Sequence, residues 1–392
     1  NAALDKAVEL IEKRKFLKAR TVLAQTLRVC LANNGEDDLD TCHVWSLKGT
    51  SEYRLGYLDE AEKSILKALA VRQQKLGLKH LSLVSNYGNL GEIHKEKKKY
   101  DTAIAYYEKA LAIHLLKSGT EHPEVASFYR LIGETFSLSK RFDLAIENLN
   151  KSLSIFLKLY GPKDGRVGDI YKKLGMSYTQ KPDYDSAILN LEKSLVIKLG
   201  IFGPKHPAVG EVYNLLGITH SIGESYIKAI EYLEKSVDIS QASFGPDTLV
   251  VADELNLMAG IHLKLGNLSK AIHLNKRSLE IHIKKLGAEH EKVAKIYQSL
   301  GDSFRQNMDY DDALVLYFKA VEILLKKPVH QHAKLAGIYF MIGNTYVLAK
   351  SDDKAIEAYR KGLSIDLRFF GPERHVQSEI YGRIAAAYNR KE

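Results

Sequence analysis

Histidine is the side chain of this sequence best suited to metal binding or proton transfer, and the chain carries 14 histidines. Five recur at steps of 42 residues, or a multiple of 42, between segments of helical pattern: His80, His122, His206, His290 and His332. Three share a second register, where other repeats carry Phe or Tyr: His94, His220 and His262. A metal site gathers its ligands at one point, whereas this spacing spreads them along the chain. We therefore interpret the first set as turn residues or helix caps and the second as partly buried ring substitutes.

The two cysteines, Cys30 and Cys42, flank one connection between predicted helices. A disulfide between them is geometrically conceivable, but no His/Cys cluster at zinc spacing accompanies them. We interpret both as small buried apolar residues in a reducing compartment.

Other sequence patterns that carry chemistry are missing. The sequence contains no phosphate-binding loop, no nucleophile elbow and no pair of catalytic carboxylates. The acidic stretch at 309–312 opens a predicted helix, where carboxylates suit the helix dipole, and it lacks the calcium-loop pattern. We therefore expect a protein that is not an enzyme, with no catalytic residues, no cofactor and no metal.

A period of 42 residues runs along almost the whole chain. One series of small residues is Gly49, Gly91, Gly133, Gly175, Gly217, Ala259, Gly301, Gly343 and Ala385. A stricter series is Ala19, Ala61, Ala103, Ala145, Ala187, Ala229, Ala271, Ala313 and Ala355. Such self-similarity indicates units that cannot bury their apolar faces alone and stack on their neighbours. It favours a binding scaffold over an enzyme.

Each unit reads as two helices. In residues 206–245, Tyr213, Leu216, Gly217 and His220 fall on one helix face, and a second apolar face follows from position 226. Gly245 and Pro246 then end the second helix. The sequence predicts an all-α, right-handed α-solenoid of about nine helix pairs and a final helix, in a single domain spanning 1–392. Its predicted units are about 1–37, 38–79, 80–121, 122–163, 164–205, 206–247, 248–289, 290–331 and 332–373, with a terminal helix at 374–392.

The pattern resembles the tetratricopeptide repeat. The residues that carry the resemblance in one unit are Tyr129, Ile132, Gly133, Phe136, Ala145, Leu149 and Ser152. The 42-residue spacing is similar to that of kinesin light chain and nephrocystin-type repeats, whose units join through Leu-Gly-Pro-x-His-Pro-x-Val-Ala. Residues 202–209 and 118–125 match that joint well, and residues 255–259 are nearest to the family's Leu-Asn-Asn-Leu-Ala. The resemblance implies a motor–cargo adaptor.

The repeat divides each first helix into two stripes, counted from its small residue. Positions −4, −1, 0 and +3 carry the core pattern, whereas positions −3, +1 and +4 vary between repeats. We expect that packing demands no particular residue in the second stripe. By resemblance to the family, this stripe lines a concave groove in which such solenoids bind extended peptides or partner helices.

Five adjacent repeats place two cations and then three amides at the −3 position. Amides hydrogen-bond a peptide backbone as donor and acceptor, and Arg and Lys favour carboxylates or phosphates. At +1 and +4, Met176, Ile218 and Leu263 are apolar and suit a pocket for a bulky side chain, whereas Glu92, Glu134 and Asp302 are acidic. We predict that the middle of the groove binds an extended acidic protein segment; a solvated polar helix face is the alternative. The predicted binding residues are Arg130, Lys172, Lys173, Asn214, Ile218, Asn256, Leu263, Gln298 and Arg305.

The net charge of +9 permits an acidic partner, such as an acidic peptide, a microtubule surface or nucleic acid. Lysine-rich outer helix faces explain the charge as well. Nucleic acid is disfavoured because core aromatics cannot stack on bases and the longest basic run is the short segment 95–99. Apolar stretches fall short of the roughly 18 residues that span a bilayer.

The sequence therefore predicts a non-enzymatic protein-interaction scaffold in the cytoplasm, of the kinesin-light-chain cargo-adaptor kind. A structural scaffold in a cytoskeletal or ciliary assembly and the sensor region of a larger multidomain protein are the alternatives. The first residues read as helix rather than as a signal peptide, and the chain lacks an initiator Met. We accordingly expect a fragment of a longer protein.

Overall fold

The computed structural model describes residues 2–327, 333–371 and 375–390, which form nineteen helices and no strand. They fall into two compact units, Asn1–Ile201 and Phe202–Glu392. The helices that begin in the first unit are α1 (Ala2–Glu12), α2 (Phe16–Asn34), α3 (Leu39–Arg54), α4 (Leu58–Leu76), α5 (Leu83–Glu96), α6 (Tyr100–Ser118), α7 (Pro123–Leu138), α8 (Phe142–Tyr160), α9 (Gly165–Gln180) and α10 (Tyr184–Phe202). Those of the second unit are α11 (Pro207–Ile222), α12 (Tyr226–Phe244), α13 (Leu249–Lys264), α14 (Leu268–Leu286), α15 (Glu291–Gln306), α16 (Tyr310–Leu325), α17 (Ala333–Leu348), α18 (Asp352–Phe370) and α19 (His375–Asn389).

Consecutive helices pack against each other within each unit. In the first unit, α3 packs on α4, α5 on α6 and α7 on α8, and each second helix also contacts the next first helix. In the second unit the same order runs from α11 to α18, and α19 packs on α18. The predicted all-α class, with nine helix pairs and a final helix, is confirmed. The single solenoid and its unit boundaries stay predictions, and positions 328–332 and 372–374 at the last boundary lie outside the described residues.

The glycines of the first small-residue series lie against a large side chain sixteen positions later, on the second helix of the same repeat. A Cβ added at Gly133 would lie 2.9 Å from Leu149 Cγ and 3.0 Å from the Ala145 carbonyl oxygen. At Gly301 it would lie 2.8 Å from the ring of Tyr317. Ala145 and Ala313, of the stricter series, are fully buried beside these contacts. The two small-residue series therefore exist because the helix backbones approach closely.

The repeated histidines are helix caps or turn residues, as predicted: His122, His206 and His290 are N-caps, whereas His80 lies two residues before the N-cap Ser82. The Nδ1 atoms of His122, His206 and His290 accept hydrogen bonds from backbone N–H groups two residues later, at 3.1–3.2 Å. His80 Nδ1 accepts the same bond from Ser82 at 3.2 Å. His332 lies outside the described residues.

The histidines of the second register are buried ring substitutes. His94 stacks on Tyr106, and His220 stacks on Tyr232. His262 is also buried, and burial lowers the pKa of both His94 and His262.

Both cysteines are buried free thiols, and burial raises their pKa values. Cys42 Sγ donates a hydrogen bond to the Ala68 carbonyl at 3.0 Å. The structure therefore bears out their interpretation as small buried residues.

The close helix approach predicts opposite effects for two glycine substitutions. Gly133→Ala should destabilise the fold by ~1–3 kcal/mol, because its Cβ overlaps Leu149 and backbone that cannot move away. Gly337→Ala is the matched control: its Cβ meets no atom within 4 Å, so added helix propensity should stabilise by ~0.5–1 kcal/mol. Chemical denaturation measures both. Equal stability of the two variants would contradict the argument.

Candidate functional site

The +1 position of the first helices is constrained wherever the second helix places a tyrosine against the small residue. The hydroxyl of Tyr107 donates to Glu92 Oε1 at 2.6 Å, and that of Tyr317 donates to Asp302 Oδ1 at 2.6 Å. Both tyrosines are fully buried, and burial raises their pKa values. Tyr359 donates to Asn344 in the same way, at 2.7 Å. The expectation that packing leaves +1 unconstrained is wrong at these three repeats, because a buried hydroxyl needs an acceptor.

In the first unit, two of the predicted cations share one carboxylate. Arg130 Nη1 lies 2.6 Å from Glu134 Oε1, and Lys173 Nζ lies 2.9 Å from the same oxygen. Burial works to raise the pKa of Glu134, but the charges and hydrogen bonds of Lys173 and Arg130 lower it overall. Lys172, the next predicted cation, is a half-buried residue of α9. The positive charge predicted from Arg130 and Lys173 is thus partly offset within the fold.

Beside this group lies a cavity of about 320 Å³ between the first helices α7 and α9 and the second helix α8, here called the α7–α9 cavity. Leu138, Leu149 and Met176 form its apolar lining, and Lys140 and Lys173 are its cations. Its remaining lining residues are Glu134, Ser137, Ser177 and Gln180. Of the predicted residues of this unit, Lys173 lines the cavity, whereas Arg130 and Lys172 do not. Met176, noted for its apolar +1 position, lines it too.

In the second unit, the three predicted amides are anchored by neighbouring side chains. Asn256 Nδ2 donates to Asn275 Oδ1 at 2.8 Å. Asn214 Nδ2 lies 3.5 Å from Glu254 Oε1, and Gln298 Nε2 lies 3.8 Å from the sulfur of Met341. All three amides remain partly exposed, so they form a positioned polar surface on α11, α13 and α15.

Two cavities of the second unit use these amides. The α11–α13 cavity, of about 660 Å³, is lined by Pro207, Ala208, Glu211, Asn214, Ile218, Ser240, Phe244, Val250, Asp253, Glu254 and Leu257. The α13–α15 cavity, of about 380 Å³, is lined by Ser221, Asn256, Leu257, Gly260, Ile261, Lys264, Lys295, Gln298, Ser299 and Asp302. The structure therefore brings together Asn214 with Ile218, and Asn256 with Gln298.

Two further predicted residues of the second unit line neither of these cavities. Leu263 is a half-buried residue of α13. Arg305 lies close to Asp302 and Tyr317, and its charge acts on the pKa of both groups. Burial still raises the pKa of Asp302. Arg305 therefore acts electrostatically within the fold.

The sequence interpretation overlooked Glu254, a buried carboxylate of the α11–α13 cavity. It is 5% exposed, five positions before the small residue Ala259. Other repeats fill this register with buried apolar side chains: Val44, Phe128, Ile170, Val212, Ile296, Ile338 and Ile380. A break in an apolar register is visible in the sequence, and it is the signal that could have identified this residue.

One oxygen of Glu254 holds all of its described hydrogen bonds. Oε1 lies 2.5 Å from Ser236 Oγ and 3.2 Å from Ser240 Oγ. Among the described residues, Oε2 is buried with no hydrogen-bond partner. Burial raises the pKa of Glu254, although the hydrogen bonds from Ser236, Ser240 and Asn214 act in the opposite direction.

The neighbouring Ser236 has two acceptors within reach of its hydroxyl. A hydroxyl has one proton to donate, and Ser236 Oγ lies 3.0 Å from the Gly210 carbonyl oxygen. Ser278, its equivalent in the next repeat, donates to the Ala252 carbonyl at 2.7 Å. Ser236 can therefore donate to only one of these two acceptors at a time, the Gly210 carbonyl or Glu254 Oε1. The hydrogen bond from Ser236 to Glu254 thus competes with a backbone acceptor, while burial raises the pKa of the carboxyl.

Comparison with known proteins identifies the repeat. The sequence model described as Tetratricopeptide repeat matches residues 40–115, 82–158, 124–199, 166–242, 223–284 and 250–326. A second model of the same description matches residues 336–368. The chain belongs to the tetratricopeptide repeat family. No curated protein matches the sequence.

Solved tetratricopeptide-type structures share the fold at low sequence identity. RapI in its apo form is 17% identical, with 95% of this chain and 99% of RapI covered at a TM-score of 0.68. Aspartyl phosphate phosphatase F from Bacillus subtilis is 15% identical, with 95% of each chain covered at a TM-score of 0.57. The TPR-like repeats of a protein assigned as a kinesin light chain in Podospora anserina are 18% identical, covering 52% of this chain and 96% of that one at a TM-score of 0.47.

The described part of the tetratricopeptide chain shows neither a metal-binding cluster nor a membrane-spanning helix. The described residues contain no group of three or more His, Cys, Asp or Glu side chains placed to hold a metal ion. Among the helices described, not one combines the length and apolar character that crossing a bilayer requires.

The buried carboxyl predicts a pH-dependent gain in stability for Glu254→Ile, which introduces the residue that this register commonly carries. At about pH 7 the variant should be more stable than the wild type by ~1–3 kcal/mol, since a buried group with an unpartnered oxygen is removed. Because the folded pKa is raised, the folded chain binds more protons than the unfolded chain, and stability from Glu254 falls as pH rises through the folded pKa. The gain should therefore shrink towards about pH 4, near the ordinary pKa of Glu.

Asp253→Asn is the control with the opposite sign. The hydrogen bond from His282 and the contact with Lys292 lower the pKa of Asp253, so its stabilising effect exists above the unfolded pKa and is lost as pH falls. Denaturant titrations at both pH values measure the two variants. A gain for Glu254→Ile that does not depend on pH would refute the raised pKa.

Proposed function

We propose that this protein is a non-enzymatic interaction scaffold that binds extended segments of partner proteins along its first helices. The observation that carries the proposal is the position of the three cavities described above. Each lies between consecutive first helices of one unit and is lined in part by +1 residues, and the two cavities of the second unit are also lined by −3 residues. Both positions vary from repeat to repeat. The repeated packing residues hold the helices in position, and the variable residues determine which partner segment binds.

The α7–α9 cavity suits a bulky apolar side chain. Leu138 is 53% exposed and Met176 38% exposed, although both are large apolar residues. Covering such surface with one apolar anchor is worth about 1.5–3 kcal/mol, which is a factor of roughly 10 to 150 in affinity. An open cavity with an apolar lining and few polar groups is a common form of binding site.

The charges around this cavity favour an acidic residue next to that anchor. Arg130, Lys140 and Lys173 are three cations, and Glu134 is the carboxylate that pairs with two of them. The local balance therefore remains positive and supports the acidic partner that the sequence suggests. We propose, more specifically, that the protein is a cytoplasmic cargo adaptor of the kinesin-light-chain kind.

A structural scaffold is the second candidate, and exposed apolar residues on the second helices favour it. Leu189 and Val196 of α10 are 53% and 70% exposed, and Ile227 of α12 is 63% exposed. Such residues would contact folded partners over a larger surface. The two candidates differ in which helices they use, so substitutions on first and second helices separate them.

The proposed function predicts that a charge in the α7–α9 cavity abolishes peptide recognition. A display library of random peptides is selected on the wild-type chain, and the enriched peptides are then measured by fluorescence anisotropy. Leu138→Asp should weaken their binding at least tenfold, because it places a carboxylate on the apolar surface that receives the anchor. Lys140→Glu should selectively weaken the enriched peptides that carry acidic residues.

Leu144→Asp is the matched control for this measurement. Leu144 is also an exposed leucine, 41% accessible, but it lies on the second helix α8 and does not line the cavity. Peptide affinity should be unchanged in this variant. Loss of binding in Leu144→Asp with full binding in Leu138→Asp would favour recognition by second helices, and selection that enriches no peptide would reject the proposal.

A further inference from the structure

A second series of equivalent positions includes a residue of the α11–α13 cavity, Ser240, and shows how the surroundings of Glu254 differ from those in other repeats. Glu254 lies five positions before the small residue of its helix, and each repeat has an equivalent residue. Fourteen positions before each of these residues lies a residue on the second helix of the preceding repeat. In three repeats this side chain is a buried base: Arg72, Lys198 and His282, which are 8%, 6% and 1% exposed. In the repeat of Glu254 the equivalent residue is Ser240.

Each of the three buried bases contacts an acceptor that recurs in register. Arg72 Nη1 donates to Asn86 Oδ1, and Asn86 is the equivalent of Glu254. Lys198 Nζ lies 2.7 Å from Asp169 Oδ1, and His282 Nε2 lies 3.1 Å from Asp253 Oδ1. In these three repeats one internal position thus holds a base, which contacts an acceptor at one of two further positions. The other repeats carry different residues there: Cys30, His114, Phe156, Ser240, Leu324 and Asp366.

The repeat of Ser240 keeps both acceptor positions acidic. Glu254 occupies the first, and Glu211, the equivalent of Asp169 and Asp253, occupies the second. Both line the α11–α13 cavity together with Ser240. A serine hydroxyl is neutral and much smaller than a guanidinium or an ammonium. In this repeat, the space that a base fills in the other three repeats is therefore part of the cavity.

We propose that the α11–α13 cavity binds a basic side chain, Lys or Arg, of a partner segment, with its charged nitrogen beside Glu254 in the position that Arg72 fills in its own repeat. The nitrogen supplies a donor to the buried Oε2 of Glu254, which has no hydrogen-bond partner among the described residues. Its positive charge also favours the ionised form of Glu254, because an opposite charge close by lowers the pKa of a carboxyl.

The remaining lining fits the stem of such a side chain. Ile218, Phe244, Val250 and Leu257 are apolar, and Lys and Arg bury their methylene chains on apolar surface while the charged end is paired. Asp253 adds little attraction, since it is already paired with Lys292 at 2.7 Å and with His282. The specificity for a base therefore rests on Glu254.

The inference deepens the proposed function, because it names the chemistry that one cavity of the second unit recognises. The test uses the full chain and small probes in place of a partner: N-acetyl-arginine amide, N-acetyl-lysine methylamide and the neutral N-acetyl-citrulline amide. Binding is followed by NMR chemical-shift titration. Wild-type protein should bind the two basic probes saturably and at least tenfold more tightly than the citrulline probe.

Two variants localise the binding. Glu254→Gln keeps the shape of the side chain and should weaken the arginine probe at least tenfold, whereas Glu231→Gln, an exposed carboxylate on α12, should change its affinity by less than about twofold. Ser240→Arg restores the internal base of the repeat and should abolish probe binding while raising the denaturation midpoint.

Three results would overturn the inference: no saturable binding of the basic probes to the wild type, equal binding of the citrulline probe, or full affinity in Glu254→Gln. Its failure is distinguishable from failure of the proposed function. Peptide selection that still responds to Leu138→Asp would leave the scaffold proposal intact while the cation site is withdrawn. Cation binding without any peptide selection would do the reverse.

Discussion

The contact on which each repeat depends joins a small residue of the first helix to the side chain sixteen positions later on the second helix. The distances from a Cβ added at Gly133 or Gly301 show that this contact has no room for a further carbon. Protein interiors are packed at crystal-like density, so such a contact fixes the separation of two helices to a fraction of an ångström. Because the glycines of several repeats make this same close contact, the variable side chains recur at equivalent places, and cavities lie between consecutive first helices.

The same contact decides which polar residues belong to the fold. A tyrosine in the sixteenth position brings a hydroxyl into the core and requires an acceptor at +1, as Glu92 and Asp302 show. In the repeat where Ala259 replaces glycine, the equivalent second-helix residue is Asn275, which accepts from Asn256 and donates to Ser299 Oγ at 3.2 Å. Polar residues of the stripe thus include members of buried hydrogen-bond networks, whose satisfaction stabilises one arrangement of the repeats.

The sequence period predicted the features that close packing of the helix backbones requires. It did not predict the contacts that side chains make with one another. The helix pairs, the buried small residues and the histidine caps follow from a period of 42 because each repeat meets the same requirement. The pairing of Arg130 and Lys173 with Glu134 does not follow from it, since that contact depends on side-chain conformations and joins two neighbouring repeats. Periodicity therefore predicted the stripe but overstated its unpaired positive charge. Glu254 interrupts an apolar series and lies outside the exposed stripe, so a rule based on that stripe does not identify it.

Two buried carboxylates illustrate how structural and functional breaks in the period can be distinguished. Glu52, 1% exposed, is met by Lys48 at 2.5 Å and Ser64 at 2.8 Å, and Arg20 lies 3.5 Å away. Its own unit supplies the counter-charges that a buried anion requires. Glu254 is almost as deeply buried, yet the described groups hydrogen-bonded to it are neutral, two serines and an amide. Burial of a carboxylate without a counter-charge destabilises the fold. Other repeats carry an apolar residue at the equivalent position, such as Ile296 or Val212. The two carboxylates therefore differ in their partners: Glu52 has its counter-charges within the fold, whereas the cation site proposed at Glu254 would take its counter-charge from a partner.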